Sequence, residues 1–211
     1  MRRTAWTQGD VLKEVKLQAQ HFGEGSTVVN DKIIVLTWKS KVGFIYNKYT
    51  LRQEKSFKYQ TTTGQGWGIT TSPRGLVVSD GSSFLHVWDP STLQQTSRVQ
   101  IKDSKGRPVE RLNELEYVNG ELLANVWFDT RIARIDLSTG RVIGWIDCAK
   151  IHHGRPLRPG DDVLNGIALL SPGNSSRAQS MPLDGAELLL TGKRWDKLYH
   201  VRLKGSHNTE A

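Results

Sequence analysis

The sequence predicts an all-β protein, a five-bladed β-propeller whose first blade is incomplete. Three observations carry that expectation. Short β-rich runs recur along the whole chain, and helical periodicity is scarce. Turn formers separate the runs. A unit of roughly 40–50 residues repeats, which is the length of one four-stranded blade.

In order, the runs are Lys32–Trp38, Gly43–Tyr46, Gly75–Ser79, Phe84–Trp88, Glu121–Trp127, Ile132–Ile135, Glu187–Thr191 and Leu198–Leu203. Between them lie Asn30-Asp31, Pro73-Arg74-Gly75, Asp80-Gly81-Ser82, Asn119-Gly120 and Ser138-Thr139-Gly140, all turn chemistry. Many short strands with turns between them fit a sandwich, a barrel or a propeller. The repeat selects the propeller, because each blade buries its faces only against its neighbours.

The repeat is anchored on strands that end alike: Phe44-Ile45-Tyr46-Asn47, His86-Val87-Trp88-Asp89, Ala133-Arg134-Ile135-Asp136 and Tyr199-His200-Val201-Arg202. Tyr46 to Trp88 spans 42 residues, and Trp88 to Ile135 spans 47. Twenty-two residues before the first three anchors lie Glu24, Gly66 and Asn113, each opening a similar segment. Asn165-Gly166-Ile167 opens a fourth copy, which carries a Ser-, Pro- and Gly-rich insertion at Ser171–Leu183 that reads as a surface loop. The first strand of each blade lines the central channel, so Glu24, Asn113 and Asn165 are expected around one mouth of it. Trp38, Trp127 and Lys193 fall close to one relative position at the end of the second strand and are expected on one face. Converging polar groups are what a site requires.

Trp6-Thr7-Gln8-Gly9 reads as a further opening segment, with Gln8 in the place of Glu24. Gln8 to Glu24 is only 16 residues, against later steps of 42, 47 and 52. Two to three strands of the first blade are therefore missing. An incomplete blade leaves a bare sheet edge. Either the chain's C-terminal strands fill the gap or the sequence is a truncated or alternatively spliced form. Asp10–Gln20 is expected to supply one strand. The expected organisation is one propeller domain over 1–203 and a polar tail over 204–211.

Composition excludes several classes. The chain of 211 residues is 37% hydrophobic and 24% charged, as folded globular proteins are. Twenty-nine Lys and Arg against 21 Asp and Glu leave a formal net charge of +8. The basic residues are scattered, without the clustered footprint of nucleic-acid binding, and no nucleic-acid partner is expected. No apolar run is long enough to span a bilayer, so no membrane partner is expected. A monomer is expected. Cys148 is the only cysteine, which leaves no internal disulfide and no thiolate metal site; a buried, inert thiol is the expectation. No cofactor and no metal are expected. Met1-Arg2-Arg3 is followed by Thr4–Asp10, which is not an apolar signal core, and localisation stays open.

Ala5-Trp6-Thr7-Gln8-Gly9, His21-Phe22-Gly23-Glu24-Gly25, Leu36-Thr37-Trp38-Lys39, Gly66-Trp67-Gly68, Leu112–Tyr117, Ala124-Asn125-Val126-Trp127, Leu164–Ala168 and Thr191–Trp195 occur in this order. Together they resemble the glutamine cyclotransferases of plants and bacteria, from about Ala5 to Leu203. The resemblance implies a five-bladed propeller enzyme that converts an N-terminal glutaminyl residue of a peptide or protein to pyroglutamyl with release of ammonia. It implies Glu24 as the acid/base residue, Asn113 and Lys193 as contacts to the substrate amide, Trp38, Trp67 and Trp127 as pocket walls, and Gln8 in the binding set. It also implies members that are often secretory. The chain departs from that family after Trp6–Gly9, where a stretch with a Glu-Ser-Thr-Gly-like motif is absent.

The residues themselves support such chemistry. Cyclisation needs the α-amine of glutamine to attack its own γ-carboxamide, so holding a folded-back conformer supplies much of the acceleration. One carboxylate between two nitrogens can take a proton from the first and return it to the second, and Glu24 is the candidate. Enclosure by tryptophans would raise its pKa. Lys193 is placed to stabilise an oxyanion, with Asn113 at the amide. Structural roles compete. Trp88, Trp145 and Trp195 read as blade packing. Asn165 reads more as a backbone contact than a substrate contact. His152-His153 and Asp161-Asp162 read as solvated loop pairs, and Glu114 with Glu116 as strand residues paired to Arg or Lys. A family member impaired by its short first blade, or a non-catalytic interaction propeller, are the alternatives.

Overall fold

The computed structural model describes residues 1–5, 8–151, 163–170, 183 and 185–204. Every regular element among them is a β-strand. None is a helix long and apolar enough to cross a membrane. The chain divides into two compact units, Met1–Arg98 and Val99–Ala211.

The first unit opens with an exposed two-stranded ribbon, β1 (Arg2–Thr4) and β2 (Val11–Glu14). A four-stranded antiparallel meander follows: β3 (Gly23–Val29), β4 (Lys32–Thr37), β5 (Val42–Asn47) and β6 (Gln53–Lys58). The next meander is β7 (Ile69–Ser72), β8 (Gly75–Ser79), β9 (Phe84–Trp88) and β10 (Gln95–Gln100), the last of which carries the chain past the unit boundary. The second unit has a four-stranded sheet, β11 (Leu112–Val118), β12 (Glu121–Val126), β13 (Arg131–Asp136) and β14 (Arg141–Asp147). Its other sheet has three strands, β15 (Leu164–Leu169), β16 (Glu187–Gly192) and β17 (Tyr199–Arg202).

Burial explains the strand sequences. Second strands are covered on both faces: Ile34–Thr37, Leu76–Ser79 and Leu122–Asn125 are all buried. They accordingly read as continuous apolar runs rather than alternating ones. Outer strand β6 is mostly exposed and β10 partly so, and both carry polar and charged residues, which discourage edge pairing. In the first unit Ile34, Leu36, Tyr59, Ile69, Leu76, Val78 and Trp88 share one core. In the second, Val118, Leu123, Ile132, Leu164, Leu188 and Leu190 share another. Full burial of each Leu or Ile stabilises by about 1.5–3 kcal/mol.

One turn is repeated three times. Asn47 and Asp136 end a third strand, Asp89 directly follows one, and each caps the turn there. Asn47 Oδ1 accepts from the Tyr49 and Thr50 N–H groups, Asp89 Oδ1 from Ser91 and Thr92, and Asp136 Oδ1 from Ser138. The N–H four residues on, at Leu51, Leu93 and Gly140, closes back onto the capping residue's carbonyl. The repeat read from sequence is thus a repeat of hydrogen bonding.

Five blades were expected; the described residues form four sheets of three or four strands and the β1–β2 ribbon. The step of 16 from Gln8 to Glu24 holds one short strand and a connection, and β2 is that strand. Met1, Val15 and Leu17 pack against Val35, Phe44 and Tyr46, so the ribbon covers part of the face that a full blade would bury.

Cys148, just past β14, is 5% exposed. Burial, reinforced by the Asp147 charge, pushes its thiol up to about 11. The native chain is expected to leave a thiol-specific disulfide reagent unreacted at pH 7.5, with one thiol titrating after denaturation. Rapid labelling of native protein would contradict this.

Candidate functional site

A β-bulge recurs near the start of the first strand of each sheet. In β3 the register breaks between Gly23, opposite Thr37, and Ser26, opposite Val35, so Glu24-Gly25 form the bulge. In β11 it breaks between Leu112 and Leu115, at Asn113-Glu114. In β15 it breaks between Leu164 and Ile167, at Asn165-Gly166. Before β7, Trp67 N–H donates to the Ser79 carbonyl and Ser79 N–H donates to the Gly68 carbonyl, so two residues face one there too. Bulges re-aim side chains and collect beside active sites. Three of the four positions are those read from the repeat. In the second copy the structure places Trp67 there, one residue past the expected Gly66.

The ends of the second strands repeat as well. Trp38, Trp127 and Lys193 each donate the backbone N–H to the carbonyl two residues before the bulge, at Phe22, Arg111 and Val163. The residue after Trp127 and Lys193 is left-handed, at Phe128 (φ 69°) and Arg194 (φ 61°). In the second sheet Asp80 holds this place, followed by Gly81.

In the first unit Glu24 is half-buried and lines a groove of about 310 Å³ with Met1, Arg2, Val15, Ser26 and Tyr46. Gly25 is needed beside it: its N–H donates to the Trp67 carbonyl at 2.7 Å, and a Cβ there would lie 2.7 Å from that same oxygen. Tyr59, 8% exposed, donates its hydroxyl to the Thr37 carbonyl. Burial raises its pKa, the Thr37 hydrogen bond opposes the rise, and the Glu24 charge adds to it. Glu24 is therefore close enough for Tyr59 to feel its charge. Trp38 is 36% exposed, with the Phe22 ring edge-on at 6.1 Å and the Lys39 ammonium 3.9 Å from its ring centre. The Trp38 and Trp67 indole N–H groups both donate to Gln65 Oε1, at 2.5 and 3.0 Å.

Behind Gln65 stands a buried polar network. Asp80 is 0% and His86 1% exposed. Asp80 Oδ2 accepts the Thr63 N–H (2.7 Å) and lies 3.3 Å from His86 Nε2. Asp80 Oδ1 accepts from the Ser82 N–H (3.0 Å) and hydroxyl (2.5 Å). His86 Nδ1 lies 2.6 Å from Gln95 Oε1. Burial opposes ionisation of Asp80, but the bonds to His86, Ser82 and Thr63 outweigh it and hold the carboxyl well below the usual range.

In the second unit Asn113 is 2% exposed. The Lys193 ammonium lies 4.7 Å from the Trp127 ring centre, a cation–π contact. Asn125, buried on β12, accepts the Gly166 N–H at Oδ1 (2.9 Å), which ties the Asn165 bulge to the neighbouring sheet. Within this unit the structure brings Lys193 to Trp127; within the first it brings Glu24 beside Trp67, and Trp67 and Trp38 to Gln65.

Other candidates fall as follows. Gln8 sits in the turn between β1 and β2, not on an opening strand equivalent to that of Glu24; the ribbon is too short to form one. Trp88 is core, as expected, and Trp195 packs against the second unit's core. Trp145 carries the Arg131 guanidinium 4.3 Å from its ring centre. Glu116 on β11 accepts the Leu169 N–H at Oε1 (3.0 Å). His152, His153, Asp161 and Asp162, nearly all of the 171–183 insertion and the tail beyond Lys204 lie outside the described residues. Gln65, Tyr59 and the Asp80–His86 pair were not singled out from sequence. The spacing of Asp80 and His86 within one repeat was the available signal.

All-β sheets built as repeated meanders, each presenting a different side chain from the same bulge, define a bladed β protein. The glutamine cyclotransferase family profile matches residues 1–203. The chain is 39% identical over 206 residues to a glutaminyl-peptide cyclotransferase of Arabidopsis thaliana, covering 97% of this chain and 60% of that protein. It thus spans about three-fifths of that relative's length. The crystal structure of Myxococcus xanthus glutaminyl cyclase matches with a TM-score of 0.79 at 31% identity, over 93% of this chain and 78% of that one. A Bacteroides caccae protein of unknown function shares the fold alone, with a TM-score of 0.55 at 10% identity over 96% of this chain and 64% of that one. The chain belongs to the glutamine cyclotransferase family.

Proposed function

We propose that the chain closes the N-terminal glutaminyl residue of peptides or proteins into pyroglutamate and releases ammonia. The observation that carries this reading is Glu24: a half-buried carboxylate presented from a bulge whose counterparts carry an indole and two amides. Family membership supplies the reaction class.

Glu24 takes a proton from the substrate α-ammonium. The freed amine attacks the γ-carbonyl carbon, and a C–N bond forms to close the five-membered lactam. The carbonyl oxygen becomes an oxyanion, stabilised by the Lys193 ammonium and the Asn113 amide. Glu24 returns that proton to the departing nitrogen, the original C–N bond breaks and ammonia leaves; Glu24 then takes the second proton, shed by the ring nitrogen as it becomes the lactam N–H, and releases it to solvent. Ring closure within one bound residue makes positioning the main source of rate. Trp38, Trp67 and Trp127 wall the pocket; Gln8 and Asn165 complete the binding set. Nothing in this sequence must activate water, so turnover proceeds without a metal. The chain acts as a monomer, and its described residues supply four propeller-like sheets and a two-stranded ribbon.

The test is direct. Purified chain is incubated with a glutamine-initiated peptide, and ammonia release and the loss of 17 Da are followed. Turnover that survives EDTA supports the reading. A folded chain without turnover sinks it in favour of an impaired family member, which the ribbon in place of a blade would explain. Loss of turnover with EDTA overturns the metal-free step.

A further inference from the structure

We propose that Gln65 is a positioning residue that locks the Trp38 and Trp67 indoles into a single two-ring wall; the role of that wall in substrate binding rests on the reaction proposed above. An indole N–H is a donor with no acceptor of its own, and one amide oxygen has two lone pairs. Gln65 Oε1 uses both, at 2.5 Å to Trp38 Nε1 and 3.0 Å to Trp67 Nε1. One atom thereby fixes the separation of two indole edges, one just past the end of β4 and one just before β7.

The clamp is itself held. The Thr61 hydroxyl donates to the Gln65 carbonyl (2.7 Å), and the Gln65 N–H donates to Thr63 Oγ1 (3.3 Å). The Thr63 hydroxyl donates to the Asp80 carbonyl (2.7 Å), and the Thr63 N–H to the Asp80 carboxylate (2.7 Å). The 61–65 loop is therefore anchored to a buried group. Gly81 lies against the Trp67 ring: a Cβ there would come within 2.7 Å of two ring atoms, so the indole is confined from that side too. Trp38 stays partly exposed, free to present ring surface to a ligand. Indoles bonded through a common atom cannot swing independently, and the wall loses little entropy when a ligand arrives.

The variants are Gln65→Leu, which keeps the bulk and removes the acceptor, and Gln65→Glu, which keeps an acceptor. The readout is the indole region of a ¹H–¹⁵N spectrum, where the seven tryptophans give their own signals and Trp38→Phe and Trp67→Phe assign two of them. In Q65L both signals are expected to move upfield and exchange faster with solvent; in Q65E both keep their slow exchange. Either signal unmoved in Q65L overturns the clamp. With a glutamine-initiated peptide, Q65L is expected to raise KM roughly tenfold, the loss from one hydrogen bond's worth of preorganisation, with kcat changed less than about twofold. Shifted indoles with unaltered KM would overturn the positioning role. If Q65L fails to fold, Gln65→Asn withdraws the acceptor by one methylene and reads the same signals. Absence of turnover in the unmutated chain overturns the proposed reaction while the indole signals still decide the clamp.

Discussion

Glu24→Gln is expected to reduce kcat/KM for a glutamine-initiated peptide by roughly 10²–10⁴-fold, the range by which one positioned acid/base group accelerates a proton transfer. The substitution is nearly isosteric, so the groove beside β3 keeps its shape and the Gly25–Trp67 backbone bond is untouched. What disappears is the capacity to accept a proton from one nitrogen and return it to the other. KM should change little, since the amide still fills the space. Thermal unfolding should be close to that of the parent, because a half-buried side chain on a bulge bears little packing. Glu24→Asp, one methylene shorter, should retain part of the rate. Undiminished turnover in E24Q would remove Glu24 from the chemistry and leave Asn113 and Lys193 without a proton carrier.

The second large effect concerns the fold beneath the site. Asp80→Asn is expected to destabilise the chain by about 3 kcal/mol, as removing a buried carboxylate from the donors it accepts from does. For a chain of this length that is a fall of roughly 10 °C in Tm. The carboxylate accepts from the Thr63 N–H and from the Ser82 N–H and hydroxyl, with His86 alongside; an amide turns one end into a donor facing donors. The pH dependence has a definite sign. The carboxyl is held below its unfolded value of about 3.9, so its contribution is complete above that pH and is lost as pH falls toward the depressed native value. Urea unfolding should therefore show parent and D80N far apart at pH 7 and converging below about pH 4. A gap that persists undiminished in acid would assign the effect to packing rather than charge.

Strands and turns were legible because local patterns dictate them. Asn119-Gly120 closes the tight β11–β12 hairpin as its composition demands, and the buried second strands announce themselves as apolar runs. The repeat placed Glu24, Asn113 and Asn165 at equivalent positions, and all three sit on bulges. A bulge is one extra residue in a register, which periodicity cannot see; Gly66 was consequently taken for Trp67. Gly25, Gly68 and Gly166, each directly after a site residue, were its trace. Gln65 was missed because its role comes from sharing two donors across a turn, which no local pattern encodes. Gln8 was assigned to an opening strand by likeness of sequence, but the few residues after it suffice only for a ribbon.

The fourfold bulge also bears on how such a site can change. Its geometry is held by main-chain bonds and, in two copies, by a side-chain acceptor from a second strand, Ser79 or Asn125, while the side chain it presents is a glutamate, a tryptophan or an asparagine at the same backbone address. Each sheet thus offers an interchangeable socket. Exchanging the occupant of one socket alters the chemistry on offer while the scaffold stays the same, so new specificities are reachable one substitution at a time.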